Sequence, residues 1–387
     1  MGNASRARGA LYGLAIGDAL GMPTQMLSRA QIRARWGELL TGFEPAPPGH
    51  PIAAGLPAGA ITDDTEQAVL LGRLLVKSHG TIDPNELARA LVNWERKMAE
   101  RGSLDLLGPS TRRACAAILA GVPPDEAGAT GATNGAAMRI APVGIAVALA
   151  PATPATPATP AAPPSPATSS PSPAPSSPSP APSSPGTAPS SPSPATPRGP
   201  APSSDLSTLV DQVVAASSIT HNTGIALAGA SAVAAAVSAG VSGAGIAEAT
   251  ALAVQAARIA ARRGHWVAGA DVAARIEWAT SLVAGRDEGE AAELIYTLVG
   301  TSLATQESVP AAFAVLAAEP ADPWRACLLA ASLGGDCDTI AAMTGAIAGA
   351  CHGVDAFPPE AIAVVDAHGL GLADLADDLV VLRARQP

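Results

Sequence analysis

The sequence predicts an all-α protein, a single compact domain of many helices with one foreign stretch inserted into it. Three observations carry that expectation. Outside residues 151–204, apolar residues recur at intervals of three and four while strand-like alternation is nearly absent. Many of these segments are rich in alanine, a strong helix former whose small side chain lets helices pack closely, and no heptad repeat is sustained. Residues 151–204 hold 20 of the 37 prolines and one charged residue, Arg198. Built otherwise almost only of Pro, Ser, Ala and Thr, that stretch buries too little apolar surface to offset ordering entropy and is expected to be a disordered insertion. One domain is therefore expected over 1–150 and 205–387, with 151–204 as a solvated loop or tether.

In chain order, the spacing predicts a first helix over 7–20, whose apolar run behind Arg6 and Arg8 imitates a signal peptide until Asp18 ends it. Helices follow over 65–78 and 84–100; His79-Gly80 stops the first, and Asp83-Pro84 opens the second with a cap and a first-turn proline. Segments 109–120 and 136–149 precede the insertion and 207–217 resumes after it. The helix over 223–239 lies in an uncharged run as long as a membrane span, but its Ala, Gly and Ser content reads as a buried, closely packed helix. A long helix over 244–263 ends at Gly264 behind Arg262-Arg263, and segments 269–283, 288–303, 310–318, 323–332, 339–352 and 359–368 complete the set.

Charge and cysteine content narrow the function. The 23 Lys+Arg against 33 Asp+Glu give a net charge of −10, which disfavours a nucleic-acid partner because phosphate binding requires basic side chains. Cys115, Cys327, Cys337 and Cys351 form no C-x-x-C pair and no zinc spacing with histidine, so reduced thiols in a cytoplasm are expected. A monomer without membrane attachment is the default, since the apolar helices can bury their faces within one chain.

Two acidic clusters stand where helices begin: Thr62-Asp63-Asp64-Thr65-Glu66, and Gly334-Gly335-Asp336-Cys337-Asp338-Thr339. Either alone reads as a helix cap complementing the dipole. Together they offer more than caps require, two carboxylates and a hydroxyl each, the all-oxygen chemistry that hard divalent cations take. Were the two helix starts to converge, their carboxylates would repel unless neutralised, and two Mg²⁺ ions, or Mn²⁺ in their place, would do so. Cys337 is expected to pack in the core and leave cations alone.

Four motifs in order, Gly17-Asp18-Ala19-Leu20-Gly21, Thr62-Asp63-Asp64-Thr65, Asn134-Gly135-Ala136-Ala137-Met138-Arg139 and Gly335-Asp336-Cys337-Asp338-Thr339, resemble the ADP-ribosylglycohydrolase family, including its dinitrogenase reductase-activating glycohydrolases. The resemblance runs from about residue 8 to about residue 352 apart from the insertion. It implies an orthogonal all-α fold with a binuclear magnesium centre that cleaves the glycosidic bond between ADP-ribose and an acceptor, a protein side chain or a small conjugate. Metal ligands carried over by the motifs are Thr62, Asp63, Asp64, Asp336, Asp338 and Thr339. Asp338, ahead of Asp64, is the expected catalytic base.

The same resemblance implies substrate contacts from Asn134, Gly135 and Met138, where a loop of small residues lets backbone N–H groups approach a diphosphate, and from His221 in Ser218-Ile219-Thr220-His221. A structural role is expected for Arg139 there, and the other histidines, His50, His79, His265, His352 and His368, have no such context. Many family members carry a glutamate where this chain has Gln25. An amide positions a hydroxyl or a water but transfers no proton. Hence a second expectation from another class: a weak or inactive module that binds ADP-ribose. A structural protein with capped helices is the third.

Overall fold

The computed structural model describes residues 2–101, 107–149 and 204–385. The expected insertion lies, but for Ser204, outside the described residues. These are all-α: seventeen α-helices and no strands, with two isolated bridges, Thr133 with Ala304 and Thr223 with His265. The helices are α1 (Asn3–Gly21), α2 (Arg29–Trp36), α3 (Asp63–Lys77), α4 (Pro84–Glu100), α5 (Pro109–Leu119), α6 (Pro124–Ala127), α7 (Ala141–Ala146), α8 (Ser204–Ser217) and α9 (Gly224–Val241). After these come α10 (Ile246–Ala260), α11 (Val272–Val283), α12 (Glu288–Leu294), α13 (Thr305–Ala318), α14 (Pro323–Ala331), α15 (Cys337–His352), α16 (Pro359–Asp366) and α17 (Leu372–Ala384).

The centre is the antiparallel pair α1 and α15, joined along a seam of small residues. A Cβ built at Gly9, Gly13, Gly17 or Gly21 would meet the backbone at Gly349, Gly345, Ala341 and Asp338 respectively, at 2.2, 2.1, 2.0 and 2.3 Å. Glycine every fourth residue keeps one face of α1 bare, so two backbones touch where side chains would otherwise hold them 8–10 Å apart. The seam brings Asp18, near the C-terminal end of α1, to the start of α15. Helix α9, the membrane-length apolar run, is wholly buried and packs against α10, α15, α7 and α8.

Several elements differ from expectation for identifiable reasons. The segment 136–149 forms only a 3₁₀ turn, Asn134–Ala136, and the short α7, with Pro142 in its first turn and Val147 already extended. The segment 288–303 gives α12 and then a π turn, Ile295–Val299, closed by Gly300 at φ +89°. Helix α13 starts at Thr305 and carries Pro310 inside it. Helices α2, α6 and α17 lie outside the expected segments. In α2 only Arg29 and Ile32 are buried, and a capping box between Ser28 and Gln31 sets its start.

Candidate active site

The site assembles at the N-termini of α3 and α15. Asp18, fully buried on α1, accepts from Thr62 N (2.9 Å) and Thr62 Oγ1 (2.6 Å), from Thr65 N (3.2 Å) and from Thr65 Oγ1. The carboxylate thereby holds the first turn of α3 in place and satisfies amides that the helix itself leaves unpaired. Burial pushes its carboxyl upward in pKa, and the Thr62 and Thr65 donors oppose that shift.

With α3 so fixed, Asp64 faces α15. Thr339 Oγ1 donates to Asp64 Oδ2 at 3.2 Å across 275 residues of sequence, and Thr62 Oγ1 stands 3.4 Å from the same oxygen. Asp338 and Thr339 are buried, and Asp338 Cα lies where a side chain at Gly21 would go. Asp63 is half-buried and accepts from Gln67 Nε2 at 2.8 Å. Asp336, also half-buried, accepts from Asn134 Nδ2 at 2.5 Å, while its backbone N–H donates to Thr301 O at 2.7 Å. Burial raises the Asp336 carboxyl in pKa, against hydrogen bonds from Asn134 and Thr339 that lower it. The two acidic clusters thus meet, and Asn134 ties the small-residue loop to the second.

The donor chemistry suits hard cations. Oxygen is the only element offered by Thr62, Asp63, Asp64, Asp336, Asp338 and Thr339, and the intervening Cys337 is buried with Sγ turned to Thr24 Oγ1 at 3.2 Å. Burial pushes the Cys337 thiol up to about 12, which keeps it from becoming a thiolate. Carboxylates alone do not form a cage: among the described residues no group of three or more His, Cys, Asp or Glu is placed to hold an ion. A cation here would take the threonine hydroxyls and water as well, as Mg²⁺ commonly does.

Gln25 follows α1 in a tight turn, its N–H donating to Gly21 O at 2.9 Å. Its side chain is buried and, among the described residues, Nε2 has no hydrogen-bond partner. The next residue, Met26, is exposed at φ +61° and pairs its N–H with Gly335 O at 2.7 Å, binding this turn to the second acidic cluster. Sequence reasoning passed over His50. Its Nδ1 accepts from Ile52 N and Ala53 N, so Nε2 carries the proton and donates to Gln25 O at 2.9 Å, pinning loop 46–56 beside the site. Asp18 was legible within its motif, but its task, holding α3, was not.

The small-residue loop runs between two walls. On one side, Cβ atoms at Gly128 and Gly131 would lie 2.0 and 2.1 Å from Ser218 O and Thr220 O, so only glycine fits. On the other, Asn134 N donates to Leu303 O at 3.0 Å. Met138 is buried within the turn that follows. His221 is fully buried behind the loop: a Cβ at Gly135 would lie 3.0 Å from its Cε1, and both ring nitrogens are engaged, Nδ1 with Thr220 Oγ1 and Nε2 with Thr133 Oγ1, each at 2.8 Å. Its pKa is well below the ordinary histidine value because of burial and the positive charges of Arg139 and Arg113. Unlike Asn134, which reaches Asp336, His221 hydrogen-bonds to threonine hydroxyls and to none of the carboxylates.

Comparison with known proteins places the chain in a family and a fold. The family model described as ADP-ribosylglycohydrolase matches residues 2–163 and 167–387. The chain is 33% identical over 363 residues to the Escherichia coli (strain K12) protein YegU, itself uncharacterized, covering 94% of this chain and 92% of that one. Shorter similarities reach the ADP-ribosyl-[dinitrogen reductase] glycohydrolase of Rhodospirillum rubrum, 36% identical over 23% of this chain and 28% of that one, and the ADP-ribosylarginine hydrolase Tri1 of Pseudomonas putida (strain GB-1), 35% identical over 36% of each. Among solved structures, an ADP-ribosylglycohydrolase-related protein complex matches with a TM-score of 0.63 and 22% identity, covering 98% of this chain and 99% of that one, a likeness of fold.

Proposed function

The chain belongs to the ADP-ribosylglycohydrolase family and is a glycosidase-type hydrolase; from that premise we propose that it releases ADP-ribose from an ADP-ribosylated protein side chain or small conjugate, with Mg²⁺ at the paired acidic helix starts. One observation carries the reading: the 3.2 Å contact between Thr339 Oγ1 and Asp64 Oδ2 joins clusters that each resembled a mere cap. Thr62, Asp63, Asp64, Asp336, Asp338 and Thr339 would hold the cations. Bound there, Mg²⁺, or Mn²⁺ in its place, supplies charge neutralisation and Lewis acidity to a site crowded with carboxylates.

This chain's own groups do the rest. Asp338, with Asp64 as the alternative, takes a proton from the attacking water as the anomeric carbon becomes oxocarbenium-like. The Gln25 amide donates from Nε2, a buried donor without an acceptor among the described residues, to a ribose hydroxyl. Asn134 and Gly135 present the small-residue turn to the diphosphate.

The test is release of free ADP-ribose from a panel of conjugates, with Mg²⁺ and with chelator. ADP-ribosylarginine comes first, on the strength of the Pseudomonas putida hydrolase's name. Expected are magnesium-dependent release by wild type and none by Asp338→Asn, whose helical circular dichroism stays intact. An Asp338→Asn protein as active as wild type overturns the assignment. Binding of ADP-ribose without release from any conjugate favours the binding-module reading, motivated by Gln25.

A further inference from the structure

A chain of buried hydrogen bonds runs behind the small-residue loop, and its direction can be read from the donors. Arg139 is 1% exposed, and its guanidinium donates to two neutral groups, Gln67 Oε1 at 3.2 Å and Thr220 Oγ1 at 2.6 Å. An arginine has no acceptor to offer, so Thr220 Oγ1 must accept. The Thr220 hydroxyl hydrogen then has two possible destinations. Ser217 O is 3.5 Å away and already receives Thr220 N (3.1 Å) and His221 N (2.9 Å), whereas His221 Nδ1 is 2.8 Å away. The hydrogen goes to Nδ1.

His221 is buried and neutral, so Nδ1 as acceptor leaves the proton on Nε2, and Nε2 donates to Thr133 Oγ1 at 2.8 Å. Thr133 is half-exposed and precedes the turn Asn134–Ala136, yet its hydroxyl does not cap that turn. Having accepted from His221, it has its own hydrogen left to give. Behind it stands a guanidinium that, among the described residues, makes no ion pair; burial lowers its pKa to about 10, so it remains charged at neutral pH.

We propose that Thr133 is a specificity-determining donor to an anionic oxygen of the ligand, and that Arg139, Thr220 and His221 are positioning residues that fix its hydroxyl as a donor. The class of ligand follows from the polarity: a spare O–H on a half-exposed residue, tied through His221 and Thr220 to a buried positive charge, suits a phosphate or diphosphate oxygen and disfavours a cationic group. This inference rests on the functional reading above, deepens it at one contact, and adds a residue that the motifs did not single out.

The test has two independent parts, both on the full chain. Nitrogen-15 NMR of the His221 ring should show a neutral imidazole protonated at Nε2; protonation at Nδ1 overturns the relay. Calorimetric titration with ADP-ribose should show Thr133→Val binding about tenfold more weakly than wild type, with Thr133→Ser restoring affinity and adenosine, which lacks phosphate, bound equally by all three. Thr133→Val binding ADP-ribose as tightly as wild type overturns this inference alone. A wild type that binds no ADP-ribose overturns the functional reading, and with it the ligand assigned to Thr133.

Discussion

Replacing Gly17 with alanine tests the seam that delivers Asp18 to the site. The added Cβ would lie 2.0 Å from Ala341 O, 2.4 Å from Ala341 C and 2.9 Å from Ala342 N, all backbone atoms that no rotamer change can move. Ordinary carbon–oxygen contacts begin near about 3.3 Å, so α1 and α15 must part by about 1 Å or more. A gap of that size forfeits roughly a quarter to a half of each dispersion contact along the seam. Overpacking of this kind costs about 1–3 kcal/mol, and alanine returns about 1 kcal/mol through its helix propensity. The expected net loss is therefore about 1 kcal/mol, against a gain of about 0.5 kcal/mol for a control, Gly289→Ala in α12. At Gly289 a Cβ meets nothing closer than Asp287 Oδ1 at 3.5 Å. Urea unfolding followed by helical circular dichroism separates the two variants through their midpoints at a common slope. Because Asp18 follows Gly17, Gly17→Ala should also lose activity while Gly289→Ala keeps it. A Gly17→Ala protein as stable as wild type would refute the seam.

Asp18→Asn should destabilise the protein by about 3 kcal/mol, because the new amide NH₂ confronts donors from Thr62 and Thr65. Its activity should fall more than tenfold as α3 loses its anchor; urea melts and the release assay check the two effects, and wild-type values in both would refute the role. Stability should also depend on pH through His221. Its folded pKa lies well below the ordinary value, so as pH falls below about 6.5 the unfolded chain binds a proton that the folded one refuses. The stability present above that pH is lost toward the lowered folded pKa, by up to about 1.4 kcal/mol per pH unit. His221→Gln should remove that slope between pH 6.5 and 5 whatever its absolute stability, and an unchanged slope would count against a buried neutral ring.

Much of this was legible because the signals were local. Periodicity and alanine content announced helices, and Asp83-Pro84 and Gly264 marked helix ends that the structure keeps within a few residues. Both acidic clusters sat at helix starts by sequence alone. What failed did so where a local rule met a competing one. Pro310 reads as a helix start, yet it lies one turn into α13, where burial of Val309, Ala312 and Phe313 outweighs the lost hydrogen bond. Pro142, in turn, shortens a segment whose apolar residues alone would extend it. Helix α17 buries Leu372, Leu375, Leu379 and Leu382 at helical spacing, but its acidic residues thin the pattern.

The site was harder to read than the fold because convergence is a long-range property. Nothing near Asp64 or Thr339 announces that they meet; the glycines of α1 do. The sequence repeats Gly9, Gly13, Gly17 and Gly21 at four-residue intervals, and Gly345 and Gly349 repeat the interval near the other end of the chain. Two bare helix faces of this kind can satisfy close packing by touching each other, and antiparallel contact then puts the C-terminal turn of α1 beside the N-terminal turn of α15. Asp18, one residue from the seam, becomes buried and, among the described residues, has no cationic partner. A buried carboxylate needs donors, and the free amides and hydroxyls at the start of α3 are the supply that helix geometry leaves over. The joining of the clusters thus follows from packing at glycine and the cost of burying one aspartate, two terms that can be read in sequence only when taken together.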